Sequence, residues 1–173
     1  MDNALRIINE LNKNEYLSHV KVPILDGFEI VPNEGTLFTA ISKEKYIEQF
    51  LSEGVLFETQ SFEDRVQAVI NTTKKSMTDN QMEDVEENLR FFKDLETDDF
   101  HFKIYIQDNV CNHRIMRQLN AYFVDTDTKG FFEVTLCTCA YKLKEEKNVL
   151  DGDVTNNLIR TFDELLKHIK KDN

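Results

Sequence analysis

Apolar residues recur along the chain with two periods, a helical one in the first half and at the end, and a two-residue one between them. Ala4, Leu5, Ile8 and Leu11 stand three and four apart, with Asp2 or Asn3 placed to cap the first turn, which predicts an N-terminal helix. Residues 20–41 hold both prolines and two of the five glycines, a composition that breaks helix and predicts two short extended pieces near 27–31 and 36–41. Pro23 and Pro32 favour an edge or a loop. Ser42 then precedes KEKYIEQFLSEG, where Tyr46, Ile47, Phe50 and Leu51 share one face and Gly54 offers a left-handed stop, so a second helix is expected. Residues 55–59 (VLFET) are strand-prone. Ser61 with Asp64 forms a capping box opening a third helix, its stripe made by Phe62, Val66, Val69 and Ile70. Thr78 with Gln81 repeats that pattern and predicts a fourth helix, in which Met82, Val85, Leu89, Phe92 and Leu95 recur at helical spacing.

The period then changes. In FHFKIYIQ the even positions Phe100, Phe102, Ile104 and Ile106 are apolar and the odd ones are more polar, the mark of a strand buried on one face. After a loop near residues 107–113, the odd positions Ile115, Leu119, Ala121 and Phe123 repeat the alternation, with Arg117 as the exception. Residues 125–130 (DTDTKG) make a turn, and 131–141 form a third strand whose even face holds Phe132, Val134, Leu136 and Ala140. A loop near 151–155 leads to a last helix striped by Leu158, Ile159, Phe162, Leu165, Leu166 and Ile169. With no repeat and no low-complexity linker, the expectation is one α+β domain over residues 1–173. It comprises an antiparallel sheet, built from the C-terminal three-stranded meander and N-terminal strands, packed with helices as an αβα-type sandwich.

Four segments in this order, F-x-F-x-I-Y-I-Q at 100–107, R-I-M-R-Q-L-N-A-Y-F at 114–123, F-F-E-V-T-L at 131–136 and a helix containing T-F-D-E-L-L at 161–166, resemble the Mog1/PsbP-like family of αβα domains. The likeness extends in layout over residues 27–170. It implies that fold and, because members of the family are mostly small binding or assembly modules, a protein without catalytic machinery. It carries over no site residues.

Charge narrows the partners. The 173 residues carry a formal net charge of −11, a surface that repels nucleic-acid phosphates and anionic membranes. No stretch approaches the roughly 20 apolar residues of a membrane span. Residues 1–16 are amphipathic and lack the basic start and apolar core of a secretory signal, and three cysteines cannot all pair within the chain, so three thiols in a reducing cytosolic compartment are expected. Asn71-Thr72-Thr73 matches a glycosylation pattern but falls in a predicted helix, which makes it a chance match. The acids are concentrated: residues 79–99 hold nine against Arg90 and Lys93. With the apolar stripe of the fourth helix turned inward, Glu83, Glu86, Glu87 and Asp94 are left outside, where they would steer a protein partner with a basic surface.

Most catalytic chemistries lack their parts. Cys111, His113, Cys137 and Cys139 form two i, i+2 pairs, but side chains two apart on a strand stand about 7 Å apart, unlike the converging sulfurs of a C-x2-C zinc turn. Four histidines (His19, His101, His113, His168) are available to a thiol nucleophile, and no flanking motif selects one. Asp125, Asp127 and Gly130 begin a calcium-loop pattern that fails at Lys129 and at Leu136, where a bidentate Glu is required. No dinucleotide, P-loop, zinc-protease or serine-hydrolase signature is present, and the pairs Glu86–Glu87 and Asp98–Asp99 read as solvated. No metal and no cofactor is therefore expected. Arg117 stands where its strand should be apolar, which marks a strand end, a bulge, a paired charge or an anion-binding group. The composite expectation is a cytosolic, non-enzymatic interaction module of adaptor, assembly or immunity type. The alternative is a small-ligand binder or unrecognised enzyme, with a pocket between sheet and helix served by Arg117, Tyr105 and His113.

Overall fold

A computed structural model describes residues 7–10, 20–25, 27–31, 38–42, 47–55, 59–111, 114–140 and 152–171. In chain order these form β1 (Ile7–Glu10), β2 (Val20–Lys21), β3 (Pro23–Leu25), β4 (Glu29–Val31), β5 (Phe38–Ser42), β6 (Ile47–Val55), α1 (Phe62–Asp79), α2 (Val85–Asn88), β7 (Leu89–Glu96), β8 (His101–Cys111), β9 (Arg114–Asp125), β10 (Gly130–Ala140), α3 (Gly152–Lys167) and β11 (Lys170–Lys171). Seven strands make one antiparallel sheet in the order β4-β5-β6-β10-β9-β8-β7, and β1 with β3 and β2 with β11 make two small ribbons.

The meander of β8, β9 and β10 follows the two-residue alternation directly. Ile104 lies opposite Ala121, and Ala121 opposite Val134, which in turn faces Leu51 of β6, so one apolar row crosses the sheet. On this face α3 buries Leu158, Phe162, Leu165 and Leu166, and the segment from β2 through β3 adds Val22, Ile24 and Leu25. Through it the Phe102 ring meets Phe123 edge to face and Phe123 stacks on Phe132, each at 5.0 Å centroid spacing. The other face carries a second cluster, in which Val66, Ile70 and Met77 of α1 meet Leu89, Tyr122 and Phe131. Helices thus cover both faces of the sheet, as expected for an α+β sandwich.

The capping box holds: Ser61 Oγ accepts from the Asp64 backbone N–H at 3.0 Å, and Glu63 and Asp64 place negative charge at the helix start. The short extended pieces expected near 27–31 and 36–41 are β4 and β5.

Among the described residues, three segments expected to be helical are wholly or partly strand. Residues 47–55 form β6, the strand between β5 and β10, because backbone pairing on both sides outweighs a weak helical stripe. Its Gln49 is fully buried and donates to Pro23 O at 2.8 Å while accepting from the Leu25 N–H at 3.3 Å, tying β3 to the sheet. Residues 7–10 of the expected N-terminal helix pair with β3; Ala4, Leu5 and Leu11 lie outside the described residues. The expected fourth helix divides as well. Thr78 caps nothing, since its hydroxyl donates to Lys74 O inside α1, and Gln81 and Asp84 adopt left-handed backbone (φ 63° and 52°) that ends helical propagation. Only the four residues of α2 stay helical before β7 begins. Phe92 is the extra residue of a bulge opposite β8, so Leu89 and Leu95 fall on opposite faces, and a spacing of three that mimics a helix belongs to a bulged strand.

Two turns also differ. β8 continues to Cys111, so residues 107–111 of the expected loop are strand; residues 112–113 lie outside the described residues. In the 125–130 turn, Asp125 is buried and accepts from the Asp127 N–H (3.1 Å) and the Thr128 hydroxyl (2.8 Å). The left-handed residue there is Lys129 (φ 63°), while Gly130 already pairs with Asp125 and Val55.

Candidate functional site

Two places on the surface combine exposure with unusual chemistry. The first is the corner where α1 passes through α2 into β7, the last strand of the sheet. Glu83, Asp84, Glu86 and Glu87 are all exposed there, and Phe91 and Phe92 on β7 are 48% and 36% accessible, against the usual burial of such side chains. The nearby bases are engaged. Lys103 lies 4.8 Å over the Phe91 ring and 3.7 Å from Asp94, Lys93 bonds Asp163 at 2.7 Å, and Lys74 bonds Glu86 at 2.6 Å. Glu83 and Glu87 have no ion pair among the described residues. Asp94, expected beside them on one helix, sits instead on β7 and meets His101 (3.1 Å), which also bonds Glu96.

The second is an open pocket of about 160 Å³ on the α1 face of the sheet, lined by Ser52, Gly54, Arg65, Val69, Tyr122, Phe131 and Glu133. β6, β9 and β10 form its floor: Phe131 lies opposite Gly54, Glu133 opposite Ser52 and Tyr122. Burial holds the Glu133 carboxyl above its usual range, an effect partly offset by its hydrogen bond with Tyr122, and burial above all pushes the Tyr122 hydroxyl well up. The Arg65 guanidinium lies 4.9 Å over the Phe131 ring.

The alternative trio of Arg117, Tyr105 and His113 is not brought together. Tyr105 faces α1 and belongs to the second cluster, with its hydroxyl raised by burial and then by Asp94. Arg117 turns to the opposite face, where it forks onto Asp108 (2.7 and 2.8 Å) and donates to Thr155 of α3 at 2.9 Å. It is a paired charge, raised chiefly by its hydrogen bond to Asp108. His113 lies outside the described residues. Cys137 is buried, with Sγ 3.8 Å from Glu48 Oε2, and no group of three or more metal-ligating side chains occurs among the described residues.

Beside the aromatic residues of the α1 face runs an amide network that sequence reasoning missed. Thr135 donates to Asn120 (2.9 Å), Asn120 to Gln107 (3.0 Å), and Gln118 to Asn120 (2.9 Å), with Asn109 joining at 3.2 Å. Arg65 and Glu133 were also overlooked. Each left a readable signal, since Arg65 interrupts the apolar stripe between Phe62 and Val69, and Glu133 is a lone acid within an aromatic and β-branched strand.

A seven-stranded antiparallel sheet with α1 on one face and α3 on the other is the Mog1/PsbP-like αβα fold. Among solved structures, the Ran-binding protein Mog1p of Saccharomyces cerevisiae is similar at TM-score 0.58 and 8% identity, over 94% of this chain and 92% of that one. Cyanobacterial PsbP (CyanoP) of Synechocystis sp. PCC 6803 is similar at TM-score 0.56 and 8% identity, over 88% of this chain and 89% of that one. No family model and no curated protein sequence matches the chain significantly.

Proposed function

We propose that this chain is a cytosolic protein-interaction module, of adaptor, assembly or immunity type and forming one α+β domain, that presents its α2–β7 corner to a basic partner. The observation that carries this reading is the exposed pair Phe91 and Phe92 set beside Glu83, Glu86 and Glu87, an apolar centre with a charged margin like that of many interfaces. The net charge of −11 favours a basic protein over nucleic acid or an anionic membrane, and no described helix is long and apolar enough to cross a membrane. That Mog1p is a Ran-binding protein supports the idea that this fold serves protein recognition.

The test is affinity capture from the native host's lysate at low and moderate salt, comparing wild type with Glu83→Lys/Glu86→Lys/Glu87→Lys and with Phe91→Ser/Phe92→Ser. A basic protein retained by wild type at low salt and lost in both variants and in higher salt is the expected result. Capture undiminished by the charge reversal overturns the assignment of this surface.

A further inference from the structure

We infer that the pocket between α1 and the sheet is a binding site for a small organic carboxylate bearing an apolar group, with Arg65 as its anchor. The case begins with the placement of Arg65. It occupies a position on the inward stripe of α1 that an aliphatic residue would fill, and its Nε is buried without a hydrogen-bond partner among the described residues. No carboxylate is ion-paired with it among those residues. Glu133, which shares the pocket, directs its hydrogen bond to Tyr122, and burial raises its carboxyl above the usual range. Gly54 leaves room for this arrangement, because a Cβ there would meet Arg65 Nη2 at 3.3 Å.

The remaining lining selects the rest of the ligand. The planar fork of an arginine matches a carboxylate in two parallel hydrogen bonds, and the Ser52 hydroxyl adds a further donor. Val69 and Phe131 supply an apolar wall, and a volume of about 160 Å³ compares with the cavity of about 150 Å³ that accommodates benzene. A phosphate dianion suits the pocket less well, with one guanidinium to neutralise it and a carboxyl group on the floor. The site lies on the helix-covered face, and its occupancy does not depend on the acidic corner.

Titration of the full chain with benzoate, followed by amide nitrogen–proton NMR spectra, tests the inference, with benzyl alcohol and inorganic phosphate as comparison probes. Saturable shifts confined to the neighbourhood of Ser52, Gly54, Arg65 and Phe131 are expected for benzoate, and weaker binding for both comparison probes. Arg65→Gln should lower benzoate affinity by about tenfold to a hundredfold, the loss of a charge-assisted hydrogen-bonded pair. Absence of saturable shifts, equal affinity for benzyl alcohol, tighter binding of phosphate, or undiminished affinity in folded Arg65→Gln each overturns the proposal. The wild-type comparison of the three probes needs no variant and decides the matter even if Arg65→Gln does not fold.

Discussion

Replacing Arg117 by Ala probes the joint between the meander and α3. Asp108 and Arg117 are paired across β8 and β9, their side chains each 14% exposed, and the third guanidinium nitrogen reaches Thr155 on α3. Truncation leaves the Asp108 carboxylate largely buried without its fork. Breaking a buried pair by removing one partner costs about 3–5 kcal/mol. Arg90 Nη1, 3.9 Å from Asp108, offers partial compensation, which places the expectation at the lower end. The predicted loss is therefore about 3 kcal/mol, or a fall in melting temperature of roughly 6–12 °C for a chain of this size. Urea unfolding followed by far-UV circular dichroism measures it, and a lower midpoint with unchanged slope identifies a stability effect. Exchanging both partners for apolar residues of similar volume, Asp108→Leu with Arg117→Met, should restore most of the loss, since the buried charge disappears with its partner. A cost below about 1 kcal/mol for Arg117→Ala, the range of exposed pairs, would refute the reasoning.

Two further outcomes follow from other parts of the molecule. Ser61→Ala removes the acceptor for the Asp64 N–H and should lower stability by about 1 kcal/mol, while Ser61→Asp should retain the cap; equal losses in both, read by the same urea series, would count against capping. For Glu133, a carboxyl raised by burial means that the folded state holds its proton longer than the unfolded one. Its influence is most favourable below the ordinary carboxylate range and is lost as pH rises from there through the raised folded value. Unfolding free energy measured across that interval should fall with pH more steeply in wild type than in Glu133→Gln, and identical slopes would contradict a raised Glu133 carboxyl.

The meander was legible because each of its strands buries one face, which imposes a period of two on Phe102, Ile104, Leu119, Ala121, Val134 and Leu136. α1 was legible because a cap and an apolar stripe agree, and α3 because of its apolar stripe. β6 and β7 were not. Ile47, Phe50 and Leu51 carry helical spacing by composition alone, and the three-residue recurrence of Leu89, Phe92 and Leu95 spans a bulge, a feature of pairing with β8 that local periodicity does not contain. The acids of residues 79–99 were visible as charge, but their arrangement over a turn, a short helix and a strand was not.

The sequence by itself thus determined the class of fold, the meander, the two long helices and the acidity of one segment, since each depends on short-range periodicity or composition. Only the tertiary structure decided which exceptions meet. Arg117 found Asp108 through strand register, and Arg65 and Glu133, 68 positions apart in the chain, came to one pocket because α1 packs across β6, β9 and β10. A residue that violates its local pattern shows that something compensates it, but the compensating group is chosen by packing between distant segments.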